Sequence, residues 1–186
     1  MQEYSTPLPP EDSARNLTEM VWDNERDAPR HVVFSRRTPK GWVDVTSAAF
    51  ADEVRVVAAG LVAAGVQLGD RVALMSKTRY EWAVCDYAIW TAGGVTVPIY
   101  ETSSAEQVEW IISDSGAVAA IVESDAHAGV VASVRSRLPD LREVWQIDTG
   151  DIEKLVTLGK GVERAALDAR WQALDRDTLA TIIYTS

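Results

Sequence analysis

The residues of this chain best placed to do chemistry are its last hydroxyls. Leu179-Ala180-Thr181-Ile182-Ile183 is a strand-like apolar run, and it opens into Tyr184-Thr185-Ser186. Small hydroxyl side chains at the exit of a buried strand can grip phosphate oxygens, together with the backbone N–H groups of the loop they begin. Thr185 and Ser186 are therefore the candidate phosphate-binding residues. On residue type alone, two solvated hydroxyls at a strand end are the plainer reading, because Ser and Thr are common wherever strands meet loops. Two other strand exits carry polar groups. Lys77 and Arg79 follow the run 71–76 and could meet an anion, with a solvated rim the simpler reading. Residues 100–104 follow the run 95–99 and could face a ligand cleft, although a capping role already accounts for the Ser104 hydroxyl.

Other chemistry finds little support. No Gly-x-x-x-x-Gly-Lys or Gly-x-Gly-x-x-Gly occurs, and Gly60, Gly65 and Gly69 are spaced for helix ends and turns. His31, His127 and Cys85 make no convincing zinc site, and no Ser-x-x-Lys or Gly-x-Ser-x-Gly nucleophile is present. No catalytic residue and no metal ligand is assigned. Cys85 reads as a small buried hydrophobe within a helix. Trp82, Trp90 and Trp110 could line an acyl channel, but large aromatics on helices beside a sheet are more simply core.

Composition sets outer bounds. The 186 residues are 47% hydrophobic and 25% charged, a globular balance able to bury a sizeable core. A formal net charge of -10 disfavours an extended nucleic-acid surface, so any anionic ligand must be held locally. A single cysteine cannot form an internal disulfide, and Met1-Gln2-Glu3-Tyr4 lacks the basic-then-apolar start of a secretory signal, which makes the cytoplasm the default compartment. No apolar run approaches the roughly 18 residues that a spanning helix needs, so any membrane contact would be peripheral.

The elements that must position these residues follow from periodicity. Residues 1–12, with Pro7, Pro9 and Pro10, read as a flexible arm, and the domain proper as 13–186. A short helix starts near Ser13; runs 31–35 and 42–45 flank Pro39-Lys40-Gly41 as a β-hairpin. Thereafter strands alternate with helices, the signature of a largely parallel α/β sheet flanked by helices. Phe50, Val54, Val57, Leu61 and Val62 share a helix face that Gly65 ends. Strands are expected at 71–76, 95–99, 117–122, 143–147 and 179–184, with Pro98 marking a strand end or an unpaired edge. Thr78 with Glu81 and Ser104 with Gln107 have the spacing of capping boxes. A helix is expected over 125–137, and 148–177 reads as charged, helix-punctuated surface.

Three runs carry a specific likeness: Gly65-Val66-Gln67-Leu68-Gly69-Asp70-Arg71-Val72, Arg79-Tyr80-Glu81-Trp82, and Val97-Pro98-Ile99-Tyr100-Glu101-Thr102-Ser103-Ser104-Ala105-Glu106-Gln107. From about Asn16 onward the chain resembles the N-terminal part of the long-chain fatty acid–CoA ligases of the acyl-adenylate-forming (AMP-binding) superfamily. Tyr184-Thr185-Ser186 matches the start of that family's Tyr-Thr-Ser-Gly-Thr-Thr-Gly phosphate loop, which assigns Thr185 and Ser186 to ATP phosphates. The resemblance implies the first part of the large N-terminal domain of such an enzyme, with ATP, Mg²⁺ and CoA as cofactors and a long-chain fatty acid as substrate. It implies attack of the fatty acid carboxylate on the α-phosphate of ATP, then displacement of AMP by the CoA thiol. The loop's glycines and lysine, and the later catalytic elements, have no counterpart in these residues.

Alternatives remain open. One is a non-catalytic scaffold or dimerisation module; another is a ligase for medium-chain or aromatic acids. The stop in mid-motif favours a truncated enzyme segment that is inactive alone and, with apolar surface bared, prone to aggregate. The proline-bearing arm is the kind of segment that could reach a neighbouring subunit in a homodimer.

Overall fold

The computed structural model describes residues 16–185. Its centre is a four-stranded parallel sheet in the order β4-β3-β5-β6, with β3 at Arg71–Met75, β4 at Val95–Ile99, β5 at Ala117–Val122 and β6 at Glu143–Gln146. Period-two alternation loads both faces. Val72 and Leu74 point into one apolar cluster, while Ala73 and Met75 point into another on the opposite side. This is why the strands read as near-continuous apolar runs.

The first cluster is covered by α2 (Ser47–Ala63), α3 (Tyr80–Thr91), α6 (Asp151–Leu158) and α7 (Arg164–Gln172), through residues such as Val54, Ile89, Leu155 and Leu167. The second is covered by α4 (Ala105–Ser115) and α5 (Asp125–Val134), through Val108, Ile112, Val131 and Val134. The chain runs from β3 outward to β4 and then back past β3 to β5. Right-handed crossovers in opposite directions put α3 and α4 on opposite faces. The strand order reverses between β3 and β5, so the topological switch point lies there.

A separate antiparallel hairpin, β1 (Val32–Thr38) with β2 (Gly41–Thr46), packs beside α2. Phe34 seats it, with ring centroids 4.9 Å from Phe50 and 5.6 Å from Tyr80. Ahead of it α1 (Glu19–Asp27) lies on α2, where Arg55 meets Glu25 at 2.6 Å and covers the Trp22 ring at 5.0 Å. The arm at 1–12 and the helix start at Ser13 lie outside the described residues.

Local signals explain most boundaries. Gly65, at φ +92, turns the chain out of α2. Ser104 and Gln107 form a full capping box at the start of α4. The other expected box does not form: α3 begins at Tyr80 with Arg79 at the N-cap and no side-chain cap. Glu81 instead accepts from the Arg79 guanidinium at 2.7 Å, a charge-assisted bond that outcompetes the neutral backbone N–H of Thr78.

Gly60 is likewise not at a helix end. It sits inside α2, where a Cβ would lie 2.4 Å from the Leu155 carbonyl oxygen, and Gly159, one turn beyond Leu155, packs against it as well. The two glycines let α2 and the end of α6 approach backbone to backbone. Residues 148–177 are thus more than charged surface, since Leu155 and Leu167 are 1% and 2% exposed. The helix expected over 125–137 is α-helical to Val134 and tightens into a 3₁₀ turn at Arg135–Arg137.

Candidate functional site

The carboxyl ends of β3, β5 and β6 meet at the switch point, and the chain fills that crevice itself. Glu123, just past β5, accepts from the Lys77 backbone N–H at 2.8 Å and from Ser76 Oγ at 3.1 Å. Arg79 bridges Glu81 at 2.7 Å, Asp148 at 2.8 Å and Glu123 at 3.7 Å. The hydrogen bond that Arg79 donates to Glu81 raises the Arg79 pKa further above its ordinary value, outweighing burial. Burial pushes the Glu81 carboxyl up, yet the Arg79 guanidinium brings it below its ordinary value. Arg79 is therefore neither an open anion receptor nor a solvated rim group. It clamps three strand ends, while the Lys77 side chain and the Asp148 carboxylate stay exposed to water.

The segment from Leu179 onward enters at the opposite edge, beside β4. The strand expected at 179–184 is reduced to one parallel bridge between Thr96 and Thr181. Thr96 N–H donates to the Ala180 carbonyl and Ile182 N–H donates to the Thr96 carbonyl, each at 3.0 Å. The ladder stops there for two reasons. On the carboxyl side the next inward-facing donor would belong to Pro98, which has no N–H. On the other side the Gly94 N–H is already bound to the Ile89 carbonyl at the end of α3.

Side chains complete what the backbone leaves undone. Thr181 Oγ1 donates to the Thr96 carbonyl at 2.9 Å, and the Trp90 indole N–H donates to the Ala180 carbonyl at 2.7 Å. Tyr184 donates to Asp114 at 2.7 Å and meets the Trp110 ring edge-on at 4.9 Å. Burial and that hydrogen bond push Tyr184 up to about 12.

The segment runs parallel to β4 at the bridge, and the exposed Thr185 stands four residues beyond it, towards the carboxyl end of the sheet. Thr185 is thus at the carboxyl edge of the sheet, where ligands of such sheets bind, and its free hydroxyl fits a phosphate-gripping role. Ser186 lies outside the described residues. Tyr100 is 75% exposed at the same edge, while Ser104 is spent as the α4 cap.

The loop between them is fixed from α5. His127, 9% exposed, is hydrogen-bonded to Ser124 Oγ at 3.1 Å through Nδ1 and to the Glu101 carbonyl at 3.1 Å through Nε2. No group of three or more His, Cys, Asp or Glu suited to a metal ion occurs among the described residues. These described residues offer no carboxylate or imidazole cluster to cradle Mg²⁺.

Of the three tryptophans read as channel or core residues, Trp90 lines a groove of about 520 Å³ flanked by Met20, Leu179 and Ala180. Trp82 is half-buried, and Trp110 is 57% exposed rather than core, covered on one side by Tyr184. Cys85 is fully buried, and burial pushes its thiol up to about 12, so it is inert as a nucleophile. Sequence reasoning missed the Trp90 anchor and the His127 tether. Both act on backbone carbonyls far away in sequence, which leave no local pattern.

A doubly covered parallel sheet, with a hydroxyl-bearing segment delivered to its carboxyl edge, defines an α/β domain whose ligand face is that edge. The chain belongs to the AMP-binding enzyme family, which matches residues 21–186. It is 47% identical to the long-chain-fatty-acid–CoA ligase FadD15 of Mycobacterium bovis over 190 aligned residues, covering 100% of this chain and 32% of that protein. The match is to the N-terminal part of FadD15, so the chain spans about a third of that relative's length.

Among solved structures, the N-terminal domain of FACL13 from Mycobacterium tuberculosis matches with a TM-score of 0.74 at 26% identity, covering 92% of this chain and 42% of that one. The long-chain-fatty-acid–CoA ligase FadD1 from Archaeoglobus fulgidus gives 0.74 at 15% identity over 93% of this chain and 35% of that one, a likeness of fold alone. The family read from runs 65–72, 79–82 and 97–107 is thereby established.

Proposed function

We propose that these residues serve, within the whole protein, the ATP-dependent activation of long-chain fatty acids to acyl-CoA. The supporting observation is 47% identity across the full chain to a protein named for that activity. In this reading the fatty acid carboxylate attacks the α-phosphate of ATP, pyrophosphate leaves, and the CoA thiolate then displaces AMP from the acyl-AMP. Thr185 contributes a hydroxyl to the ATP phosphates, with Ser186 beside it in sequence. The rest of the described chain supplies rigidity. The Thr96–Thr181 bridge and the Trp90 and Tyr184 hydrogen bonds fix the segment's line, and the Arg79–Glu123–Asp148 cluster locks the adjoining strand ends.

Holding phosphate-binding groups in place before substrate arrives is how such a loop stabilises transferring charge. The experiment is an AMP-release assay on the whole protein with ATP, Mg²⁺, CoA and a panel of acids. Palmitate is expected to drive AMP formation. Preference for octanoate or benzoate would move the reading to a medium-chain or aromatic-acid ligase. No acid-dependent AMP would leave a scaffold.

A further inference from the structure

The carboxyl edge of the sheet is laced together around the start of α5. Glu123, two residues ahead of that helix, takes the Lys77 N–H at the β3 exit and gives its own N–H to the Met75 carbonyl at 3.0 Å. Asp125 accepts from Gln146 Nε2, at the end of β6, at 2.8 Å. His127 reaches the remaining exit, where its Nε2 binds the Glu101 carbonyl just past β4. Residues 100–104 are otherwise tied only within themselves and to α4. The Ser103 N–H closes a turn on the Tyr100 carbonyl at 3.0 Å, and Ser104 with Gln107 caps the helix. Among the described residues, His127 makes the one hydrogen bond that reaches this loop from elsewhere.

A carbonyl only accepts, so Nε2 carries the ring proton, and Nδ1 of the neutral ring accepts from the Ser124 hydroxyl. Ser124 is the N-cap of α5, yet its side chain makes no cap bond. Its hydroxyl is withheld from the helix and spent on fixing the imidazole tautomer. Stability of α5 alone would favour the cap. The arrangement favours the aim of Nε2–H at the loop instead.

The tethered loop leaves β4, the strand with which the 179–185 segment pairs at Thr96–Thr181, so it lies on the same carboxyl edge as Thr185. Tyr100 and Thr102 are exposed on it. We propose that His127 is a positioning residue for ATP: through Glu101 it holds residues 100–104 in place before the nucleotide arrives, as an ordered wall of the site that Thr185 enters. It touches no substrate, and its role rests on the ligase reading above. With the tether cut, the loop holds the binding-ready arrangement for only part of the time. Apparent affinity then falls by that fraction while turnover at saturation is kept. A merely structural role would lower the active fraction, and with it kcat, at unchanged KM.

The test is palmitate-dependent AMP release by the whole protein with ATP varied. H127N keeps a polar group near Nδ1 and leaves nothing at Nε2, whereas H127Q carries an N–H close to the Nε2 position. H127N should raise the KM for ATP by up to about fivefold, the worth of one hydrogen bond, with kcat within about twofold of the parent. Amide exchange at Ser103 should quicken, and H127Q should restore most of the parental KM. S124A leaves His127 in place but frees its tautomer, and should raise KM in the same direction. Parental KM in both H127N and S124A, a fall in kcat at parental KM, or an H127Q no better than H127N overturns the proposal, while acid-dependent AMP release by the parent keeps the ligase reading. Unchanged Ser103 exchange in H127N overturns it independently of activity. A parent that releases no AMP with any acid removes the ligase reading and this proposal with it.

Discussion

Asp86 is a carboxylate that the fold holds against its interest. It lies on α3 at 7% exposure, beside the Thr96 strand residue that anchors the terminal segment. Burial pushes it up to about 6 from an ordinary 3.8, and the Thr96 hydroxyl opposes this only weakly. Because the folded value is raised, the fold favours the protonated form. This group's contribution is most favourable below about pH 4, erodes as pH rises through 6, and is a constant penalty above that.

At about 1.4 kcal/mol per unit, the penalty at pH 7 is on the order of 3 kcal/mol. Asp86→Asn keeps shape and hydrogen-bonding capacity while removing the charge. The variant should be more stable than the parent at pH 7 by up to about 3 kcal/mol, with the gap closing as pH falls towards 4. Urea unfolding followed by tryptophan fluorescence at several pH values measures the gap, because subtracting the two curves cancels every other titrating group. A gap that stays constant with pH, or an Asn variant less stable at pH 7, would refute the reasoning.

Other substitutions probe separate joints. Gly60→Ala drives a methyl into the Leu155 carbonyl and should cost roughly 1–3 kcal/mol in chemical denaturation, whereas Gly161→Ala, with nothing within 4 Å of its Cβ, should be close to neutral. Ser104→Ala removes a hydroxyl that caps α4 and should cost about 1 kcal/mol by the same measurement. Trp90→Phe keeps the ring and loses the bond to Ala180; amide exchange at Ile182 should quicken while the global midpoint moves by no more than about 1 kcal/mol.

The parts of the fold legible in the sequence were those written locally. Gly65 after an amphipathic run, the Ser104–Gln107 spacing, and apolar β3 and β5 each state their structure within a few residues. What sequence reading could not reach depends on partners distant in the chain. The Thr78–Glu81 spacing was as good as the box that forms, but Arg79 lies between and takes the carboxylate. Gly60 reads as a turn until Leu155 and Gly159 are found against it.

Pro98 did signal an unpaired edge, and the consequence falls on residues 179–184, which keep one bridge in place of a ladder. At the site, Thr185 could be picked out by type and by resemblance. The Trp90 and Tyr184 contacts that aim the segment could not, since both partners were ordinary-looking aromatics.

The central claim is that this domain serves acyl-adenylate chemistry on long-chain fatty acids. The most direct test is fatty-acid-dependent AMP release by the whole protein, with the same assay on its Thr185→Ala variant. The account predicts AMP and pyrophosphate only when palmitate and ATP are both present, acyl-CoA on adding CoA, and a turnover loss in the variant while unfolding is unchanged. A well-folded whole protein that releases no AMP with any acid, or a Thr185→Ala variant with parental turnover and parental KM for ATP, would contradict it.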